Sequence, residues 1–447
     1  MERKITQKLK DWKEYSNGKT ALLVAGARRV GKSYIVEEFA KNEYDDYLLI
    51  DFSKATGEVK DIFIHYSDDL ETFFTMLQGY FQKNLPRRKS VVIFDEVQLF
   101  PPARQMIKHL VADGRYDYIE TGSLISLREK TKDILIPSEE REIEMYPMDF
   151  EEFLTALGAE QTYESMRYFY DENKPLGQAL HRKLMTLFRQ YIIVGGMPQA
   201  VKTFIETKNF KEVDKIKRDI LNLYRGDIRK HGGKEAVRIE RVFDMIPSQL
   251  SGTNKRFMFA AISDDARYRE YENALFWLQD AKLVNICHNT TEPSVGLAAR
   301  MDISAFKCFL CDTGLLISQT FSEKDLAREE IYKKLLFDKL DFNNGLTMEN
   351  VVAQILVASG CDLYYYSEVE DRMEIDFLLT KGRLTSRKNI LPIEVKSGKK
   401  LAASSLKKYR EKFRNHVDES FILYDGDLKE KDGINYLPLY MAAFIGD

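Results

Sequence analysis

Cysteine is scarce. Four residues in 447, Cys287, Cys308, Cys311 and Cys361, cannot staple a disulfide framework. Cys308 and Cys311 form a CxxC, but no second pair and no nearby histidine pair accompanies it. That argues against a zinc site and for buried thiols in a reducing compartment. Long apolar runs are missing as well: none approaches the ~20 residues that cross a bilayer. The first residues, MERKITQKLKDW, are charged and carry no apolar stretch, so a secretory signal is not expected and the chain reads as soluble and cytoplasmic. A large excess of one charge is also lacking. At a net charge of −3 no global field draws nucleic acid, and any such binding needs a local basic patch. There is no internal repeat, no low-complexity tract and no guanine-reading NKxD motif.

What is present is an ordinary globular balance. With 44% hydrophobic and 31% charged residues, the chain can build several cores, and its length corresponds to roughly three domains. The first 122 residues alternate buried strands with helices. TALLVA (20–25), DYLLIDF (46–52), SVVIF (90–94) and YDYIETG (116–122) read as strands. A helix follows at 32–41, and another near 69–84 carries Phe73, Phe74, Leu77 and Phe81 on one stripe. This alternation implies an α/β domain with a parallel sheet covered by helices on both faces. Beyond residue 150 the texture becomes helical, at 149–160, 178–194 and 209–230, with a break at Gly195-Gly196-Met197-Pro198. After residue 345 a helix at 348–359 precedes two apolar strands, IDFLL and LPIEVK, and a lysine-rich helix at 402–414.

The strongest chemical signal lies early. Gly26-Ala27-Arg28-Arg29-Val30-Gly31-Lys32-Ser33 fits GxxxxGK[ST] between a buried strand and a helix. Glycines let backbone N–H groups close on phosphate oxygens, Lys32 adds a charge at the β- and γ-phosphates, and the Ser33 hydroxyl ligates magnesium. The pattern predicts binding of ATP with Mg2+. Some sixty residues on, the strand VVIF ends in Asp95-Glu96. Asp95 is placed to hold magnesium and Glu96 to polarise the attacking water. A hydrolytic base of this kind argues against a plain phosphotransferase. The fourth strand ends in Thr121-Gly122-Ser123, where a hydroxyl can sense the γ-phosphate; Ser123 is the first choice, with Thr121 open. A strand inserted between the phosphate-loop strand and the Asp-Glu strand points to the ASCE branch of P-loop ATPases.

These segments, GARRVGKS, VVIFDEVQ, ETGSLISL and EREIEMYPMDFEEFL, followed by VGGMPQAV, FLCDTGLL, LTMENVVAQIL, EIDFLL and PIEVKSG, resemble the predicted AAA-type ATPases of bacteria and archaea that carry a C-terminal domain of unknown function, DUF4143. The resemblance covers nearly the whole chain. It implies an ATPase domain at 1–150, a helical lid or linker at 151–235, a winged-helix-like segment at 236–315 and a PD-(D/E)XK nuclease-like α/β domain at 316–447. The family commonly has Gly-Arg before PMDF; here Glu140-Arg141 stands there. Arg141 is then either a finger reaching a neighbouring subunit, which implies a homo-oligomer, or a solvated arginine in a glutamate-rich stretch.

The terminal residues Glu349, Glu374, Asp376, Glu394 and Lys396 form a constellation of their own. Glu374 and Asp376 share one strand face, as do Glu394 and Lys396, with Ile375 and Val395 expected in the core behind them. If the two strands pair, Asp376 and Glu394 can share a divalent metal, Lys396 can orient a water and Glu349 can complete the set. The family resemblance names the same residues. The readings are a metal-dependent phosphodiesterase, a nuclease fold that keeps its carboxylates for nucleic-acid binding or regulation without cutting, a protein-interaction role, or a solvated strand face with cross-strand ion pairs. RLTSRKN (383–389) adds positive charge between the strands. In the middle segment, Arg267 and Arg269 precede a helix whose stripe is Ala274, Leu275, Leu278 and Ala281, the pattern of a winged-helix recognition element or of a plain spacer. Two functions follow: an ATPase acting on or regulated by DNA or RNA, or a signalling NTPase switch whose terminal domain is a non-catalytic module.

Overall fold

The computed structural model describes residues 1–122, 139–252, 256–262, 267–294, 296–322, 324, 329–336, 344–368, 373–381, 388–396 and 402–446. The chain divides into two compact units, Met1–Tyr146 and Pro147–Asp447.

The first unit holds, in chain order, α1 (Ile5–Ser16), β1 (Ala21–Ala25), α2 (Lys32–Glu43), β2 (Asp46–Asp51), α3 (Gly57–His65), α4 (Leu70–Phe81), β3 (Ser90–Asp95), α5 (Pro101–Asp113), β4 (Asp117–Gly122) and β5 (Glu140–Glu144). Its sheet is parallel throughout, in the order β2-β3-β4-β1-β5. The strand between the phosphate-loop strand and the Asp-Glu strand is therefore β4, while β2, which separates them in sequence, lies at the sheet edge. Burial on both faces explains the apolar runs of β1 and β3; β4 is buried as completely but carries Asp117, Glu120 and Thr121. One face is closed by α3, α4 and α5 through an aromatic cluster. Phe63 meets the edges of Phe73 at 5.0 Å and Phe94 at 5.6 Å between ring centroids. The predicted stripe on α4 packs there, with Phe73, Phe74 and Leu77 fully buried and Phe81 at the margin. Asp69 starts that helix by accepting the Thr72 N–H at 3.2 Å.

The second unit opens with five helices, α6 (Phe150–Ala156), α7 (Glu160–Asp171), α8 (Gln178–Val194), α9 (Pro198–Thr207) and α10 (Phe210–His231). Then come α11 (Ala236–Ser251), α12 (Tyr268–Asp280), the hairpin β6 (Val284–Thr290) and β7 (Met301–Leu310), α13 (Thr313–Thr320), α14 (Glu329–Leu336) and α15 (Asn344–Ala358). The unit ends with β8 (Tyr364–Glu368), β9 (Met373–Thr380), β10 (Ile390–Lys396), α16 (Ser404–Lys412), β11 (Phe421–Tyr424), β12 (Lys429–Lys431) and β13 (Ile434–Pro438). Eight strands make one mixed sheet, β12-β13-β11-β10-β9-β8-β6-β7. β6 pairs with β8 through His288↔Tyr364 and Asn289↔Tyr365, so the sheet crosses the division expected at 315/316, and no separate compact unit ends at 235. The expected stripe on α12, Ala274, Leu275, Leu278 and Ala281, is buried.

The motifs GGMP and CDTG meet at a buried carboxylate. Asp312 caps α13 by accepting the Leu315 N–H at 2.8 Å, and its other oxygen accepts the Gly196 N–H at 2.5 Å. A Cβ on Gly196 would lie 2.1 Å from the Met148 carbonyl oxygen, so the backbones approach as only glycine allows. Lys217, wholly buried, donates to the Ile193 and Gly314 carbonyls at 2.7 and 3.1 Å. Burial brings its pKa down to about 8, against the pull of Asp214 and Asp312. No disulfide joins the cysteines among the described residues; burial pushes the Cys287, Cys308 and Cys311 thiols well up, which leaves them unreactive.

Candidate functional site

The C-terminal edge of the parallel sheet gathers the first set of residues. β1 ends at Ala25 beside Gly122 of β4, and Thr121 of β4 lies next to the end of β3. From Ala25 the chain turns through Gly26–Gly31 and enters α2 at Lys32. A Cβ at Gly26 would stand 2.3 Å from the Met145 carbonyl oxygen, and Gly31 has φ 100°, so both glycines are required by the turn. Arg29 also adopts a left-handed backbone, φ 72°. Arg3 ties the loop down, donating to the carbonyls of Val30 at 2.9 Å and Tyr146 at 2.7 Å. Ala27 and Val30 are buried while Arg28 and Arg29 are exposed. The first turn of α2 thus points its unpaired N–H groups and positive dipole end at the loop.

Lys32 lies buried with its ammonium on two loop carbonyls, Gly26 at 2.8 Å and Ala27 at 3.0 Å. Burial lowers its pKa, Glu96 and Asp95 oppose the shift and Arg28 adds to it. The Ser33 hydroxyl donates to Asp95 Oδ1 at 2.7 Å. The same oxygen takes the Thr121 hydroxyl, and Thr121 in turn accepts the Glu96 N–H at 3.3 Å. Glu96 is left-handed, φ 54°, which turns its side chain away from β3 and onto the amide of Gln98. The Gln98 carbonyl oxygen is buried without a hydrogen-bond partner, and a Cβ on Gly122 would meet it at 2.5 Å. The donor set fits magnesium: a hydroxyl and a carboxylate, both hard oxygens, converge beside the loop. Thr121 touches Asp95; Ser123, the first choice from the sequence, lies outside the described residues. Sequence reasoning missed Gln98, whose only signal is its place two residues after Glu96.

Arg141 is not at this edge. It stands opposite Leu22 in the register, three residues before the level of Ala25, or roughly 10 Å along the strand. Its guanidinium is exposed and lies over the Tyr15 ring at 4.5 Å.

The second set lies on the mixed sheet. β9 and β10 pair, antiparallel, from Ile390↔Thr380 to Ile393↔Phe377. Ile375 enters the core beneath α16, but Val395 is only half-buried and Glu394 is the deeper residue, 1% exposed, a reversal of the expected facing on β10. The carboxylates do not face an open centre. Lys307, projecting from β7 and 1% exposed, places its ammonium 2.9 Å from Glu374, 3.5 Å from Glu349 and 3.5 Å from Asp376. Burial by itself lowers the Lys307 pKa; Glu349, Asp376 and Glu374 outweigh it and hold the group well above its ordinary value. The other oxygen of Asp376 accepts the Val395 N–H at 2.8 Å. Glu394 is paired with Lys396 at 2.9 Å; burial raises its pKa and Lys396 opposes the rise. Asp376 and Glu394 thus engage different partners, Asp376 the Lys307 ammonium and the Val395 N–H and Glu394 the Lys396 ammonium. Among the described residues no group of three or more acidic, histidine or cysteine side chains is placed to hold a metal ion. A lysine inside the apolar strand AFKCFL was the signal for Lys307.

Three family models match parts of the chain. An AAA domain matches residues 18–154, a domain of unknown function, DUF8612, residues 185–325, and DUF4143 residues 344–442. No curated protein matches. Among solved structures, a Walker-type ATPase of Pyrococcus abyssi is similar at 16% identity and TM-score 0.42, covering 71% of this chain and 94% of that one. Cdc6p of Pyrobaculum aerophilum is similar at 12% identity and TM-score 0.27, covering 75% and 93%. A RuvB variant of Thermotoga maritima is similar at 11% identity and TM-score 0.29, covering 63% and 87%. Likenesses this distant carry no statement about substrate. No helix among the described residues is long and apolar enough to cross a membrane. The phosphate loop and its parallel sheet lie within the stretch that matches the AAA domain, and the carboxylates of the second set lie within the stretch that matches DUF4143.

Proposed function

We propose that the chain is a magnesium-dependent ATPase whose turnover responds to nucleic acid. The observation that carries the first part is the convergence of Ser33 and Thr121 on one oxygen of Asp95, beside the buried ammonium of Lys32. The two carbonyls now holding Lys32 are neutral and exchangeable partners; a triphosphate oxygen offers a charged one. Loop N–H groups and the start of α2 cradle the phosphates, Ser33 and Asp95 hold the metal, and Thr121 fixes the Asp95 carboxylate. A magnesium ion held there by Ser33 and Asp95 would neutralise charge on the phosphates. Glu96, released from Gln98, takes a proton from the attacking water. The same reading assigns exposed Arg141 to the phosphates of a second copy of the chain.

Support for a nucleic-acid response is the pair Arg267 and Arg269, both exposed at the start of α12, and the basic helix α16. Phosphodiester cleavage is left out of the proposal because Lys307 and Lys396 already engage the terminal carboxylates. The test is ATP turnover of the full chain with and without a panel of DNA and RNA. Lys32→Ala is expected to lower turnover by about 100-fold or more. Turnover that survives it would refute the ATPase assignment. A rate that stays flat with every polynucleotide removes the nucleic-acid part and leaves a switch acting through protein contacts. Loss of concentration dependence in Arg141→Ala would support action between copies.

A further inference from the structure

The terminal carboxylates raise a separate question: what neutralises them. A divalent cation bound by oxygen ligands sits about 2.0–2.6 Å from each. The ammonium of Lys307 stands 2.9 to 3.5 Å from one oxygen of each of Glu349, Glu374 and Asp376. It therefore fills the space in which those three oxygens converge. It cannot easily leave. Lys307 sits in the middle of β7, in register with Cys287 of β6, and its ammonium lies over the Tyr365 ring at 5.1 Å. Moving the chain aside would strand a fully buried cation in surroundings that otherwise offer sulfur and aromatic carbon. Bringing a metal in beside it would set a double charge against a fixed single charge at close range.

We infer that Lys307 is a built-in cation occupying the position of a divalent metal among Glu349, Glu374 and Asp376, and that it closes the terminal unit to metal-dependent phosphodiester chemistry. The cluster is thereby a structural junction. It joins the hairpin strand β7 to α15 and β9, three elements that are distant in sequence and carry opposite charges at this one point. Glu394 and Lys396 form a second pair beside it, within the field of Asp376. The metal set read from the carboxylates alone is complete in residue types, but one lysine from outside the motif changes what it binds.

The experiment counts bound Mn2+ by electron paramagnetic resonance on the nucleotide-free full chain. Wild type and Asp376→Asn are expected to bind the same number of ions. Lys307→Met is expected to gain one ion, and adding Asp376→Asn to that variant to abolish the gain. If Asp376→Asn alone removes an ion from the wild type, the cluster already holds metal and the inference fails. A well-folded Lys307→Met that gains nothing overturns it equally, because the ammonium would then not be holding a metal's position. Folding is followed by circular dichroism. Should Lys307→Met not fold, the comparison of wild type with Asp376→Asn decides the matter without it.

Discussion

Each unit buries a lysine next to carboxylates, and the two lysines differ in what they touch. Lys32 donates to two backbone carbonyls, with Asp95 and Glu96 near enough to shift its pKa but not bonded to it. Lys307 is bonded to carboxylates on three sides. A lysine resting on neutral dipoles keeps its charge available for an incoming anion. A lysine resting on three carboxylates has spent its charge inside the fold. The same side chain marks a binding site in one unit and a closed junction in the other. A third buried cluster uses neither solution: Glu120 is wholly buried with no hydrogen bond to either carboxylate oxygen among the described residues, and Arg104 pairs with Glu140 at 2.9 Å.

The comparison can be broken most directly at Glu96. Glu96→Gln keeps the shape and the contact with Gln98 but loses the base, so ATP turnover should fall by about 10²- to 10⁴-fold while nucleotide binding persists. Retained turnover in single-turnover measurements would mean that the first site does not hydrolyse by this route, and its contrast with the second would lapse.

The next test sets the lysines side by side. Lys307→Met leaves three carboxylates without their cation and is expected to cost about 3–5 kcal/mol of stability. Lys32→Met loses two bonds to carbonyls and should cost about 1 kcal/mol. Urea denaturation of both variants measures the difference. Equal costs would show that burial, not pairing, sets the behaviour of these side chains.

The smallest effect is one of pH. Burial, followed by the charge of Glu140, raises the Glu120 pKa well above its ordinary value. A carboxyl whose folded pKa exceeds its unfolded value contributes stability that is complete below about pH 4.3 and is lost as pH rises toward the folded value. Stability should therefore decline through this group from weakly acid to neutral pH, by at most about 1.4 kcal/mol per pH unit. Glu120→Gln should flatten that decline in denaturation curves at pH 5 and pH 8. An unchanged slope would mean that Glu120 does not hold a proton in the folded protein.

The phosphate loop, the Asp-Glu strand end and most strands and helices of the first unit were legible because their signals are local. Eight consecutive residues dictate a turn and a helix start, and buried parallel strands leave unbroken apolar runs. The strand order was not legible. Nothing in DYLLID or DYIETG says which strand lies between β1 and β3; the packing of α3, α4 and α5 over one face decides it. The sequence favoured Ser123 over Thr121 as the hydroxyl of this strand end; the structure brings Thr121 to Asp95, a contact that depends on how β4 lies beside β3.

By itself the sequence determined the chemistry of the first site and the roster of acidic groups in the second. Only the tertiary structure decided what the second roster does. Lys307 meets Glu349 across 42 residues and Asp376 across 69, by way of a hairpin that joins the terminal strands in one sheet. A motif records residues that act through neighbouring backbone. It cannot record a cation delivered by a strand from elsewhere, and at close range that cation sets the electrostatics of the cluster.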